Sequence, residues 1–358
     1  MRVTALRARA HRLPLHRAWD GGVDRNDIVV VEVDTDTGLT GTGFSWTPLI
    51  GARAVLALLH DDLRPALLGG PAHPARWDEL RLHLREAGTS GLTLMALAAV
   101  DIALWDLTAK AAGLPLVDHL GRRRDTVPAY GSGVNLDYPL PDLQDQVKGW
   151  IDAGHRAAKI KVGSPDPARD TDRARAVRTL LGPDGLLMVD ANQRWDVPAA
   201  ARALDALAEH RPHFIEEPLP ADDLRSHERL RPRTAVPFAL GENLRTVEEF
   251  ERYIDAGVCD IAQPNAVRVG GITPFLRIAQ TAARRGVPVA PHLLPELSGQ
   301  LALCLSRPSM VEDIDRASLA ALGALAAPSG VRVERGALTA HTAPGHGLVF
   351  ADTLTPLP

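Results

Sequence analysis

The sequence predicts an α/β protein: a closed barrel of parallel strands, preceded by a smaller α+β region. Two observations carry this. Between 127 and 314 a short apolar run is followed repeatedly by a segment of helical period, giving eight runs over about 190 residues. Most of these runs also close on a polar residue, at a spacing close to one strand–helix unit. Strands that alternate with helices in this way pair in parallel, because a parallel connection needs a crossover and an antiparallel hairpin does not.

The elements follow in order. VTALRARAHRLPL and DIVVVEVDTDTGLTGTGFSW, within residues 1 to 46, alternate apolar and polar positions around Thr37 and Gly38, which reads as antiparallel strands joined by a turn. From 52 to 112 the period becomes helical and ends in TLMALAAVDIALWDLTAKAAG, an almost wholly apolar helix stopped by Gly113 with Pro115 beyond it. GRRRDTVPAYGSG at 121 to 133 changes composition abruptly and marks a domain boundary, its arginine run expected as a solvated linker. The expected barrel strands are VPAYGSG, AAKIKVG, LLMVDAN, HFIEEP, FALGEN, DIAQPN, PVAPH and SMVEDI, with helices such as TVEEFERYIDAG and TPFLRIAQTAARRG between them. VRVERGALTAHTAPGHG then returns to short strands and glycine turns. The expected division is a first α+β domain over 1–120, the barrel over 121–320, and a C-terminal segment over 321–358 that packs back on the first domain.

Composition excludes several classes. The 40 basic and 44 acidic residues give a net charge of -4, which lacks the cationic excess of a nucleic-acid binder. No apolar run is expected to serve as a membrane span. The opening MRVTALRARAHRLPL has no apolar block of the signal-peptide kind, so the cytoplasm is the expected location. Cys259 and Cys304 are too few for a disulfide framework.

Only four of the basic residues are lysine, namely Lys110, Lys148, Lys159 and Lys161. A partly buried lysine can give up its proton near neutral pH and arginine cannot, so Lys159 and Lys161 in one short strand point to proton chemistry. They share a parity and face the same way. Two ammonium groups so close are expected to depress each other's pKa and make one of them a usable base. Their apolar neighbours alone do not decide which face of the strand they take; the three acids at the strand ends across the rim, Asp190, Glu216 and Glu242, turn them into the barrel.

The polar residues at the strand ends are Lys161, Asp190, Glu216, Glu242, Asn265, His292 and Glu312, spaced by 29, 26, 26, 23, 27 and 20 residues. In a parallel barrel such positions converge on the C-terminal rim. Asp190, Glu216 and Glu242 are three acids from consecutive units. Brought together and partly buried they would repel one another unless a cation stood between them. An all-oxygen set suits Mg²⁺, with Mn²⁺ as an alternative. Glu217 is expected to point away from Glu216 and to serve structure.

With these residues in hand, the chain resembles the mandelate racemase subgroup of the enolase superfamily over essentially its whole length. The resemblance rests on the order Lys-x-Lys, Asp-x-Asn, Glu-Glu-Pro, Gly-Glu-Asn, a glycine pair, Pro-His-Leu and a late glutamate. Through DIALWDLTAKAAGLPL, LMVDANQRWD, IEEPLPADDL and RVGGITPFL it is most similar to acid-sugar dehydratases of the L-talarate/galactarate type. The resemblance implies a modified (β/α)7β barrel with an α+β capping domain built from both termini, and Mg²⁺ on Asp190, Glu216 and Glu242. It makes Lys161 the base, Lys159 its neighbour near the substrate carboxylate, His292 the acid or base on the opposite face, and Glu312 a hydrogen-bond partner of that carboxylate. Asn192 falls at the asparagine beside the metal site. The loops from His16 to Asp27 and Ser45 to Ile50 should close the barrel mouth, with Arg17, Trp19, Trp46 and Arg25 as candidate contacts.

One position departs from the pattern. Five residues before Gly270 the racemases carry an aspartate paired with the histidine, and this chain carries Asn265. A neutral amide cannot stabilise imidazolium as a carboxylate does, so two-base racemisation is disfavoured. The leading expectation is a Mg²⁺-dependent lyase that removes water from an aldonate or aldarate through an enediolate, giving a 2-keto-3-deoxy acid. The alternatives are a racemase or epimerase of a 2-hydroxy acid, a Schiff-base aldolase using Lys161, and a non-catalytic metal-binding relative. The expected partners are a small sugar acid and further copies of the chain, with neither nucleic acid nor membrane.

Overall fold

The computed structural model describes residues 1–308 and 310–357. The first 48 residues form an antiparallel meander of β1 (Val3–Trp19), β2 (Val23–Thr35) and β3 (Thr40–Pro48). The β2–β3 turn falls at Thr37 and Gly38, as the alternation predicts, with Gly38 at φ 80°. The helix Leu92–Ala111 lies against β3. It can do so because β3 carries Gly41 and Gly43, where an added Cβ would stand 2.2 Å from the carbonyl oxygen of Ala103 and 2.0 Å from that of Ala99. Contrary to the sequence expectation, this helix is long and apolar enough to cross a membrane, with a mean hydropathy of 1.6. Its apolar residues are spent on the core, however, and 83% of that window is buried. That is how a helix hydrophobic on all sides sits in a globular protein.

The barrel strands are β4 (Val127–Ser132), β5 (Ala157–Lys161), β6 (Leu186–Asp190), β7 (Phe214–Glu216), β8 (Phe238–Leu240), β9 (Ile261–Ala262) and β10 (Val311–Ile314). They pair in parallel from β4 through β9, and β10 returns to pair with β4. The eighth expected strand, PVAPH, is reduced to Val289, which bridges Ala262 on one side and Pro308 on the other and so closes the ring. Pro288 and Pro291 flank it, and a proline has no N–H to give a ladder. Seven longer helices, from Leu140–Asp152 to Pro295–Cys304, fill the crossovers. This is a (β/α)7β barrel.

Along β5 the side chains alternate, with the lysines on the face that the acids across the rim require. Ala158 and Ile160 join the core between strands and helices, while Ala157 joins Tyr130, Met188, Phe214, Ala239, Ile261 and Ala290 inside the barrel. Lys159 and Lys161 share the parity of Ala157 and stand above that apolar layer.

The C-terminal stretch is shared between the two units. A hairpin of β11 (Val331–Glu334) and β12 (Ala337–Ala340) adds to β4 of the barrel, while β13 (Thr355–Pro356) adds to β1 and His346 bonds Asp106 and the carbonyl of Thr42 in the first domain. The arginine run at the boundary is not a solvated linker. Arg122 bonds Asp118 and the carbonyl of Ala340, and Arg124 bonds those of Ala302 and Leu305, so the guanidinium groups pin the segment down.

Candidate active site

The strand register sets the first level of the site. Lys161 stands opposite Asp190, and Asp190 opposite Glu216, on three adjacent parallel strands. Glu242 follows just beyond β8, Asn265 just beyond β9, His292 beyond the Val289 bridge, and Glu312 lies on β10. The seven strand-end residues therefore do share one rim.

Their contacts form a dense ionic network. Lys159 Nζ is 2.7 Å from Glu216 Oε2, 2.9 Å from Glu312 Oε1 and 3.8 Å from Asp190 Oδ2. Lys161 Nζ is 2.5 Å from Asp190 Oδ2. Glu312 also accepts from the Ser132 hydroxyl at 2.6 Å and the Leu293 N–H at 2.9 Å. His292 Nε2 is 2.8 Å from Glu242 Oε2, and its Nδ1 is 3.0 Å from Asn265 Nδ2. Asp190 Oδ1 accepts from the N–H of Asn192 at 2.8 Å.

The electrostatics correct one expectation. Burial works to lower the pKa of both lysines, but the surrounding carboxylates outweigh it. Asp190 leads for Lys161 and Glu216 for Lys159, and both ammonium groups are held above their ordinary value. The mutual depression expected of the pair is overridden: Asp190 raises Lys161 by more than Lys159 lowers it, and Lys159 is held up by Glu216 and Glu312. Burial pushes Glu216 well up, reinforced by Asp190; burial is also the largest influence on Glu312, but Lys159, His292 and the Ser132 hydroxyl together outweigh it and bring that carboxyl down to about 2. Glu217 is pushed up to about 8 by burial and then by Glu242; it accepts from Gln193 and Asn243, and Asn243 also bonds Glu242.

The residues fit a divalent cation. Oε1 of Glu216 is buried without a hydrogen-bond partner, an arrangement that calls for a positive charge or a donor. Ligand atoms of Glu216, Glu242 and His292 lie within 4.8 Å of one another. Asp190, the third expected ligand, has both oxygens committed, to Lys161 and to Asn192.

A cavity of about 240 Å³ opens over this network. Lys159, Lys161, Asn192, Glu242, His292 and Glu312 line it from the barrel, and Trp19 and Trp46 from the cap. Arg17 does not reach it. Its guanidinium lies 3.7 Å over the Tyr138 ring, 3.2 Å from Asp142, and lines a neighbouring cavity of about 700 Å³. Arg25 does not line it either; it stands beside Asp24 and Asp27 on another cavity. The sequence reading missed Arg194, Asp20 and Arg268 in the cavity wall, and Ser132 and Gln263 behind it. Gln263 had a signal, since it shares parity with Asn265 in DIAQPN. Arg268 lay in the quoted RVGG run without a role; it donates to the carbonyl of Glu242 and to Asn243 Oδ1.

Two family profiles divide the chain between them. The one described as "Mandelate racemase / muconate lactonizing enzyme, N-terminal domain" matches residues 1–121, and "Enolase C-terminal domain-like" matches 142–354. The chain belongs to the mandelate racemase/muconate lactonizing enzyme family. Within it, the 3,6-anhydro-alpha-L-galactonate cycloisomerase of Streptomyces coelicolor is 34% identical over 354 residues, 97% of each chain. The L-talarate/galactarate dehydratase of Salmonella typhimurium is 39% identical over 275 residues, 75% of this chain and 68% of that one. Among solved structures of this family, the L-talarate dehydratase of Polaromonas sp. JS666, complexed with Mg and L-glucarate, superposes with a TM-score of 0.90 at 36% identity, covering 99% of this chain and 96% of that one.

Proposed function

We propose that the protein is a cytoplasmic, Mg²⁺-dependent lyase acting on a sugar acid, an aldonate or aldarate, which it converts to a 2-keto-3-deoxy acid. The observation that carries this reading is the lysine pair on the cavity wall within an excess of buried carboxylates, one oxygen of which has no partner. Asp190, Glu216 and Glu242 would hold the cation, which supplies positive charge where the substrate carboxylate gains electrons.

The chain's own residues do the rest. Lys161, as the free amine, removes the proton next to the carboxylate; this requires Asp190 to be engaged elsewhere, since Asp190 holds Lys161 protonated here. Lys159 stays cationic between Glu216 and Glu312 and stabilises the doubled charge of the enediolate. The electron pair returns to expel the oxygen at the β-carbon, which leaves as water with the proton that Lys161 has taken up, while His292 hydrogen-bonds that oxygen. The resulting enol tautomerises to the 2-keto acid. Trp19, Trp46 and Asn192 contact the rest of the substrate.

A second reading has a specific motive in the cycloisomerase that matches over 97% of both chains. The same proton removal expels a ring ether oxygen if the substrate is an anhydro acid, and opens the ring without loss of water. One experiment decides. Sugar acids and anhydro sugar acids are incubated with Mg²⁺, 2-keto acid is read by semicarbazone absorbance, and the product is weighed by mass spectrometry. A product one water lighter supports the dehydratase, an isobaric product the cycloisomerase, and no keto acid from any of them refutes both.

A further inference from the structure

The amide of Asn265 has its orientation fixed from two sides. Its Oδ1 accepts from the backbone N–H groups of Val267 and Arg268, each at 3.1 Å. Its Nδ2 lies 3.0 Å from His292 Nδ1 and 3.4 Å from the carbonyl oxygen of His292. Turned over, the amide would set its NH₂ against two N–H donors and its oxygen against a carbonyl. An amide nitrogen only donates, so Nδ1 of His292 must offer its lone pair, and the proton of the neutral ring sits on Nε2. On that side the ring meets an acceptor, Glu242 Oε2, at 2.8 Å.

We propose that Asn265 is a positioning residue that locks His292 as the Nε2–H tautomer, so that the histidine meets the substrate as a hydrogen-bond donor and cannot take a proton from it. An aspartate in the same place would keep one oxygen on the two N–H groups and turn the other to His292, which would hold the proton on Nδ1 and leave the lone pair on Nε2. The single change from carboxylate to amide thus converts a base into a donor. Ligation of a cation through Nε2 needs the same absent lone pair, which leaves that task to the carboxylates. Proton removal is confined to the Lys161 side, and of two acids epimeric at the α-carbon only one can react.

This inference rests on the proposed α-proton chemistry for its consequence, but not for its test. The full chain is labelled with ¹⁵N-histidine, loaded with Mg²⁺, and the two-bond ¹H–¹⁵N correlations of His292 are assigned by their loss in His292→Asn. Wild type should show the Nε2–H pattern and Asn265→Asp the Nδ1–H pattern. An Nδ1–H or doubly protonated ring in wild type overturns the proposal, and the wild-type spectrum alone suffices if the variant does not fold. In D₂O, wild type should exchange the α-proton of one epimer only, and Asn265→Asp should raise exchange in the other by about a hundredfold, the contribution of a placed base. Exchange of both epimers by wild type also overturns it. Exchange of neither, with the Nε2–H pattern present, refutes the proposed reaction and leaves the tautomer standing.

Discussion

Asp101, on the apolar helix of the cap, accepts the backbone N–H of Thr273 at 2.9 Å and its hydroxyl at 2.7 Å. Thr273 lies in the first turn of the barrel helix Ile272–Arg284, whose N-cap position is Gly271 and so has no side chain to offer. A residue of one unit thereby caps a helix of the other. Gly271 is required there, since an added Cβ would meet Asp101 Oδ2 at 2.3 Å.

Asp101 makes stability depend on pH. Burial raises its carboxyl to about 7 from an ordinary 3.8, against the hydrogen bonds of Thr273. Between those values the folded protein holds a proton that the unfolded chain has released. The contribution is full below about pH 4 and is lost as pH rises through 7, amounting to roughly 4 kcal/mol. Thermal unfolding of wild type and Asp101→Asn from pH 4 to 8 should show the wild type losing ground steadily against the variant.

Lys161→Ala should abolish both α-proton exchange in D₂O and turnover, by about 100-fold to 10,000-fold. His292→Asn should lose turnover and keep exchange. The reverse pattern would make the histidine the base and place the reacting proton on the other face.

Removal of the cation should abolish keto-acid formation, and Mg²⁺ should restore it. Glu216→Gln keeps the shape of the site and removes the charge of the acid whose Oε1 has no partner. By calorimetric titration it should weaken Mg²⁺ or Mn²⁺ binding by at least about a hundredfold, more than the loss of an outer-shell contact. Unchanged affinity would remove Glu216 from the ligand set.

Gly43→Ala should fail at the level of folding. The new methyl would lie 2.0 Å from the carbonyl oxygen of Ala99 and 2.6 Å from the nitrogen of Ala103, both backbone atoms that cannot turn aside. The helix must move off β3, which should cost more than the ~1–3 kcal/mol of ordinary overpacking. Soluble yield and the unfolding midpoint measure it.

The rim was legible because a parallel barrel repeats, and a polar residue returning every 20 to 29 positions betrays the period even where single strands are short. The facing of Lys159 and Lys161 was legible from the acids across the rim but not from their own strand. A barrel strand is buried on both sides, so Ala157 and Ala158 look alike in sequence although one faces the axis and the other the helices. Arg17 could not be placed either, because its stacking on Tyr138 joins residues more than a hundred positions apart. The engagement of Asp190 by Lys161 was hidden for a related reason: spacing shows which side chains meet, and only distance shows which charge each one neutralises.

The scarcity of lysine has a practical side. Of the four amines, Lys159 and Lys161 are 1% and 11% exposed and ion-paired, and Lys110 is bound to Asp106 and the carbonyl of Thr40. Lys148, on the outer helix Leu140–Asp152 and about half exposed, is the one side-chain amine that an acylating reagent can readily reach. Among the side chains, amine-directed coupling should therefore attach a dye or a solid support at one defined position, Lys148 on an outer helix of the barrel.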